Sequence, residues 1–300
     1  MKVIQRKELR MRLERFLSSA NWLGLRSSRQ RGNFVNELWK AQVKLRAISR
    51  KQFKGRTDPQ SAEFHPLKAL LEEFRAGRCD EAVWLSFLCI HFGWSNTAQR
   101  SRDAVRLFYG KLGGGKWEWK TVAAHPSAIH DWMKANPAGI RRLRFGNHRK
   151  FETNNPDSPN GTAAIICSFV DWVRASGTDG PFEALRSVPR SSDPKEGFDR
   201  LFQGFEIIRF GRTGKFDFLC LLGNLGLLPI SPGHCYLHGS TGPKTGALLM
   251  VTGKKEGRVT QRVADEMERL QRALDVPVEA LEDALCNWQK EKGFLSVTCG

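Results

Sequence analysis

Three carboxylates, one lysine and a glycine-rich turn are the residues of this chain whose types and spacing could do chemistry. Asp217 closes the run Gly211-Arg-Thr-Gly-Lys-Phe-Asp217, where a helix is expected to begin at a turn suited to phosphate. Glu152 closes a second basic run, Gly146-Asn-His-Arg-Lys-Phe-Glu152. Asp265 sits in Val263-Ala-Asp-Glu-Met267, inside an amphipathic pattern. An ionised carboxylate held at a developing positive charge stabilises it, and it can also orient water. Lys244 lies in Leu237-His-Gly-Ser-Thr-Gly-Pro-Lys-Thr-Gly-Ala247. Gly239 and Gly242 can take positive φ there, and Pro243 suits a first helical position. The first-turn N–H groups, with Thr245 and Lys244 beside them, would then gather an anion. Lys244 is a phosphate-facing cation or, with a lowered pKa, an amine nucleophile. Plainer alternatives stand beside these: a glycine turn between core helices, a helix-start charge at Asp217 and a solvated face at Asp265.

Other polar residues fall into two groups. Asn147, His148 and Arg149 belong to the basic run before Glu152, and could hold a phosphate or a substituent on a base. Asp283 and Asn287 are four residues apart, so they share a helix face with Trp288 beside them. These form the candidate base pocket, against the alternative of capping and packing. Arg212, Lys40 and Lys44 are candidate phosphate contacts.

Charge narrows the partners. Lys and Arg number 48 against 31 Asp and Glu, a formal net charge of +17. Residues 1–60 carry 16 of the cations and four acids. Such a surface attracts polyanions and binds them in a salt-dependent way. No apolar run is long enough to span a bilayer, and Met1-Lys-Val-Ile-Gln-Arg-Lys lacks a signal-peptide core. The expected partner is a nucleic acid, with no membrane. Seven cysteines without a Cys-x-x-Cys pair point to a reducing, cytoplasmic setting. Cys220, His234, Cys235 and His238 are of types that bind zinc, but the adjacent pair and the apolar setting of Cys220 argue against such a site. No metal, iron–sulfur cluster or other cofactor is expected.

The elements that must position these residues read as helices. Phe34, Leu38, Ala41, Leu45 and Ile48 mark one apolar face, with Lys40 and Lys44 largely off it. Further helices are expected over 66–77, 80–92, 101–109, 128–135, 163–175, 198–210 and 216–227. Val259 to Leu274 and Pro277 to about Lys290 give two more. Residues 154–161 and 177–195 read as loops. Trp117 and Trp119 follow a glycine run and are expected to pack inward. The organisation expected is a basic helical region, 1–60, and a helical core, 61–300, with the hairpin at 237–247.

The segment 237–247 resembles the helix-hairpin-helix of endonuclease III-type DNA glycosylases. Its turn is one residue longer, and Gly246 precedes Ala247. Lys244 then matches the Schiff-base lysine of bifunctional glycosylases, and Asp265 lies near the usual place of their catalytic aspartate. Four stretches together, Phe145-Gly-Asn-His-Arg-Lys-Phe-Glu152, Phe210-Gly-Arg-Thr-Gly-Lys-Phe-Asp217, Gly239-Ser-Thr-Gly-Pro-Lys-Thr-Gly-Ala247 and Leu281-Glu-Asp-Ala-Leu-Cys-Asn-Trp-Gln-Lys290, resemble the α-glutamyl/putrescinyl thymine pyrophosphorylase-like family. That family is associated with hypermodified bases of phage DNA and is similar to helix-hairpin-helix glycosylases. The resemblance implies an all-α, glycosylase-like fold of two helical lobes with a cleft, acting as a monomer. The activity it implies is excision of hypermodified bases from double-stranded DNA, which would serve defence against phage. Transfer of an amino acid or polyamine to an activated 5-hydroxymethyl-pyrimidine is the alternative, and a non-catalytic DNA-binding module is the third.

Overall fold

A computed structural model describes residues 1–94, 99–146, 149, 151–188 and 192–290. Among the described residues the regular elements are helical, with two isolated bridges, Arg56 to Phe64 and Thr153 to Gly161, and no strand. The fold is all-α. The chain divides into two compact units, residues 1–50 with 232–300, and residues 51–231. The basic opening helices therefore share a core with the last helices of the chain.

In the first unit, α1 (Arg6–Leu17) and α2 (Ser28–Ser49) are followed, after the second unit, by three later helices. Ser27 starts α2 with a capping box, its hydroxyl on the Gln30 N–H and the Gln30 side chain on the Ser27 N–H. Leu9, Leu13 and Phe16 of α1 pack with Phe34, Val35 and Leu38 of α2 in one apolar cluster. Gly24 is squeezed between them and a later helix, since a Cβ there would overlap the Leu249 carbonyl.

The second unit holds α3 (Pro66–Arg75), α4 (Cys79–His91), α5 (Gln99–Tyr109), α6 (Trp119–Ala124), α7 (Ala128–Ala135), α8 (Pro137–Ile140), α9 (Thr162–Ala175), α10 (Pro181–Ser187), α11 (Pro194–Gly204) and α12 (Arg212–Leu225). Every residue from 82 to 89 is buried, so α4 is the central helix, apolar all round. Aromatic rings surround it. Phe87 stacks on Phe169 at 4.2 Å and on Phe210 at 4.8 Å between centroids. Trp117 and Trp119 are buried, and the Trp84 indole donates to the Trp117 carbonyl at 2.6 Å. α10 lies inside the stretch read as a loop; its Pro181 start and the Asp80 carboxylate on the Phe182 N–H build a helix that periodicity does not announce. α12 ends on Gly226 in the left-handed region, a glycine stop.

The chain then returns to the first unit with α13 (Gly242–Thr252), α14 (Gln261–Leu274) and α15 (Val278–Trp288). No residue from 226 to 241 is helical. The glycine turn is thus entered from an irregular segment and not from a helix running up to it. No helix among the described residues is long and apolar enough to cross a membrane.

One buried acid sets a pH dependence. Glu81, in the first turn of α4, accepts from the Tyr109 hydroxyl and the Trp119 N–H, both at 2.7 Å. Burial chiefly pushes its pKa up from 4.5 to about 7, and the nearby Glu118 and Glu73 add to the rise. An acid with a higher pKa folded than unfolded binds more protons when folded between the two values. Its stabilising share is complete below about pH 4.5 and is lost as pH rises through 7. Glu81→Gln should match the parent near pH 4 and exceed it at pH 8 by roughly 3 kcal/mol. Urea unfolding at the two pH values checks this; equal differences at both would remove Glu81 as the source.

Candidate active site

The second unit brings one cluster of ionisable side chains together beside a cleft. It starts from the two stretches 145–152 and 210–217. Gly146 packs against the end of α4, its N–H on the Phe92 carbonyl at 2.8 Å. A Cβ at Gly146 would overlap the Gly93 carbonyl, so only glycine allows this approach. The approach delivers Arg149 inward. Its Nε donates to the His91 carbonyl at 3.3 Å and its Nη1 to the Arg209 carbonyl at 3.0 Å. The guanidinium lies over the Phe210 ring at 4.8 Å and touches the first turn of α12 at Gly214.

Arg149 is buried, and it faces Glu152. Its Nη2 is 3.7 Å from the Glu152 carboxylate, with both side chains 6–7% exposed. Arg209 approaches the same carboxylate at 3.3 Å. Burial pulls the Arg149 pKa below the usual arginine value, the Glu152 charge raises it, Arg209 lowers it and Asp217 raises it. Asp217, half-buried on α12, therefore shares this electrostatic neighbourhood. α12 starts at Gly211 with no side-chain cap, so the first-turn N–H groups of Arg212, Thr213 and Gly214 have no acceptor inside the helix. Arg212 lies over the Phe216 ring at 4.5 Å.

Glu152 also lines a cleft of about 710 Å³. Its wall includes Arg141, Arg144, Phe145, Asn154, Asn155 and Asp157. Asp157 is held by Lys134 at 2.9 Å and His130 at 3.0 Å. Asn154 is fixed from behind. Its Nδ2 donates to the Leu143 carbonyl at 3.1 Å, and its Oδ1 accepts from Thr162 Oγ1 at 2.8 Å. Thr162 has one proton, so the His91 Nε2, 3.0 Å away, is the donor to it. Burial drives the His91 pKa well below 6.5, which keeps the ring neutral. His91 thus anchors Arg149 through its carbonyl and the Asn154 wall through its ring.

The first unit treats the other sequence candidates differently. Gly239 has φ of +73°, as expected of the turn. Gly242 does not take positive φ; it is small because a Cβ would overlap Cys286 Sγ of α15. Gly246 likewise abuts the Leu285 carbonyl. The amides at the start of α13 are largely spent: Pro243 has none, Lys244 N–H donates to Ser240 Oγ at 3.1 Å and Thr245 N–H to the Thr241 carbonyl at 3.0 Å. Lys244 and Thr245 are half-buried. Asp265 is exposed on α14 and accepts from Gln261 at 2.7 Å. Lys40 is exposed and pairs with Glu37 at 2.6 Å. Lys44 reaches Asp283 at 3.4 Å, and Asn287 donates to Asp283 at 3.0 Å, so these three do meet. Trp288 is a core residue, fully buried against Phe34, with its indole on the Gln30 carbonyl at 3.1 Å. Asn147 and His148 lie outside the described residues. Among the described residues no group of three or more His, Cys, Asp or Glu could hold a metal ion.

The four stretches quoted from the sequence thus pair two and two: 145–152 meets 210–217 at Arg149, and 239–247 meets 281–290 at Gly242 and Gly246. The model of the alpha-glutamyl/putrescinyl thymine pyrophosphorylase clade 3 family matches residues 26–297. The chain belongs to that family. Nothing among curated proteins, and nothing among solved structures, matches it. The matched residues take in parts of both units, including all four stretches. Arg209, His91 and Asn154 are the site residues that sequence reasoning missed. Arg209 precedes the quoted stretch by one residue and carries a positive φ of +60°, which no composition signal reports.

The packing role of Gly242 is testable apart from any activity. Gly242→Ala should destabilise the protein by about 1–3 kcal/mol, the usual size of core overpacking. Cys286→Ala, by removing the sulfur, should recover much of that loss in the double variant. Chemical denaturation of the four proteins checks it; additive effects would show that the two positions do not couple.

Proposed function

We propose that this chain acts on a modified thymine in DNA, with Glu152 as the carboxylate at the reacting centre, and that it breaks the N-glycosidic bond of that base. One observation carries the reading: a buried carboxylate, flanked by two arginines, opens into a cleft whose rim is cationic. Loss of a base builds positive charge on the sugar, and a fixed carboxylate stabilises that charge and orients water. The cations suit the phosphates on either side of the target. The family's name supports thymine as the class of base and an enzyme as the class of protein.

A second reading is favoured by the same cations. The family's name is that of a pyrophosphorylase, with α-glutamyl and putrescinyl thymine as its other terms. Arg209, Arg141, Arg144 and the uncapped start of α12 are groups that bind a pyrophosphate leaving group well. Glu152 would then take the proton of an attacking amine. The two readings differ in product. Duplex DNA carrying 5-substituted thymines, among them one with a pyrophosphate ester on its 5-methylene that an amine can displace, is incubated with the protein, with and without putrescine or glutamate, and analysed by mass spectrometry. Free base and abasic sites support excision; a heavier nucleoside supports transfer. Intact DNA in every arm removes both.

Glu152→Gln should lower the rate by about 10²–10⁴-fold at saturating DNA. Asp217→Asn, measured beside it, should cost less, because Asp217 is not among the residues lining the cleft. Removing the charge also leaves Arg149 less balanced, so thermal unfolding of both variants belongs with the assay. Full activity in Glu152→Gln would take the reaction away from this carboxylate.

The basic helices of the first unit are proposed to add DNA affinity without chemistry. Lys40 and Lys44 are 56% and 60% exposed. Lys40→Gln/Lys44→Gln should reduce the slope of log K against log salt by up to about 0.9 per lost phosphate contact. The single-turnover rate at saturating DNA should stay within about two-fold of the parent, a change below 1 kcal/mol in the barrier. An unchanged slope removes these lysines from the interface.

A further inference from the structure

Phe151 is the one phenylalanine among the described residues that stands exposed, at 80%. The next exposed large apolar side chains, Met1 and Met11, reach 49%. The neighbour of Phe151 in the chain is Glu152, whose side chain is 6% exposed and lines the cleft. Adjacent Cα atoms are about 3.8 Å apart. From one point of the backbone, a carboxylate enters the cleft and an aromatic ring enters solvent.

The backbone there is held. Glu152 N–H donates to the Arg149 carbonyl at 3.0 Å, and Thr162 N–H to the Thr153 carbonyl at 3.0 Å. Arg141 and Arg144, exposed on the wall of the cleft that Glu152 lines, supply positive charge to that cleft. An exposed aromatic one residue from a cleft with cationic walls suits a nucleic acid, the ring by stacking on bases and the cations at phosphate. A base buried in the duplex stack must be extruded before a carboxylate can reach its sugar, and an apolar side chain that enters the vacated place holds the stack open.

We propose that Phe151 stacks on the bases of DNA at the place vacated by the target nucleotide, so that the displaced nucleotide reaches Glu152. This rests on the reading of the chain as a DNA-base enzyme. Phenylalanine has no hydrogen-bonding group, so this contact does not read the base left opposite. Specificity is then left to the cleft, whose polar wall includes Asn154, Asn155 and Arg144.

The test uses the full chain and a duplex with 2-aminopurine next to a central thymine, whose fluorescence rises when its neighbour leaves the stack. The parent should bind and brighten the probe. Phe151→Ala should bind with about ten- to a hundred-fold lower affinity, the size of one lost base–aromatic stack. It should also fail to brighten the duplex at saturation. Phe151→Trp should restore both. A second probe, with the central thymine in a three-nucleotide bubble, is already unstacked; there Phe151→Ala should lose less affinity than on the duplex, because the ring no longer has to hold a stack open. A Phe151→Ala protein that brightens the duplex like the parent, or that loses equal affinity for duplex and bubble, overturns the wedge while leaving DNA binding in place. A parent that binds neither probe overturns the DNA reading and the wedge with it.

Discussion

The burial of Arg149 is the constraint on which the candidate site depends. A guanidinium removed from water is costly unless charges and acceptors surround it. Here the carbonyls of His91 and Arg209 take two of its donors, and Glu152 supplies the nearest negative charge. Those three partners come from the end of α4, the segment before α12 and the loop after Gly146. Fixing the cation therefore fixes three pieces of backbone at once. Glu152 is aimed into the cleft because it answers Arg149 from behind, while Arg209 holds it from the more exposed side.

The same logic explains the glycines around it. Gly146 must let two backbones touch, and Gly214 must leave room for Arg149 on the first turn of α12. In the first unit Gly242 and Gly246 let α13 lie against α15. Two glycine-bearing helix starts that look alike in sequence thus do different work. The start of α13 satisfies its own amides through Ser240 and Thr241 and uses its glycines for packing. The start of α12 has no capping side chain and is surrounded by Arg149, Arg209 and Arg212. By helix-terminus electrostatics, α12 is the better anion site of the two.

The helical class was legible because apolar residues recur at helical spacing in α2 and α14, and because Pro243 marks a helix start. The run ending at Glu152 and the run ending at Asp217 were legible as charged stretches near glycine turns. Their meeting was not, since it depends on a contact between residues sixty positions apart, Arg149 with Arg209. The weight placed on segment 237–247 came from glycine and proline spacing, which is blind to the difference between a turn that faces a ligand and one that faces a neighbouring helix. Trp288 shows the same limit: an aromatic at the end of an amphipathic helix reads as pocket or core alike, and only the contact with Phe34 and Gln30 decides for core.

Charge balance sharpens what this site can favour. Glu152 has Arg149 at 3.7 Å and Arg209 at 3.3 Å. A carboxylate so placed can stabilise a cation, as excision would need, or accept a proton, as an attacking amine would need. The two roles make opposite use of the arginines. In excision they hold the phosphates flanking the sugar and must leave the carboxylate its field; in transfer they neutralise a leaving anion at the base itself. Arg149 is buried behind Glu152, whereas Arg209 remains 41% exposed while touching the same carboxylate. In either proposed reaction Arg149 would be the fixed support, and Arg209, the more exposed of the two, would be the cation nearer an incoming phosphate.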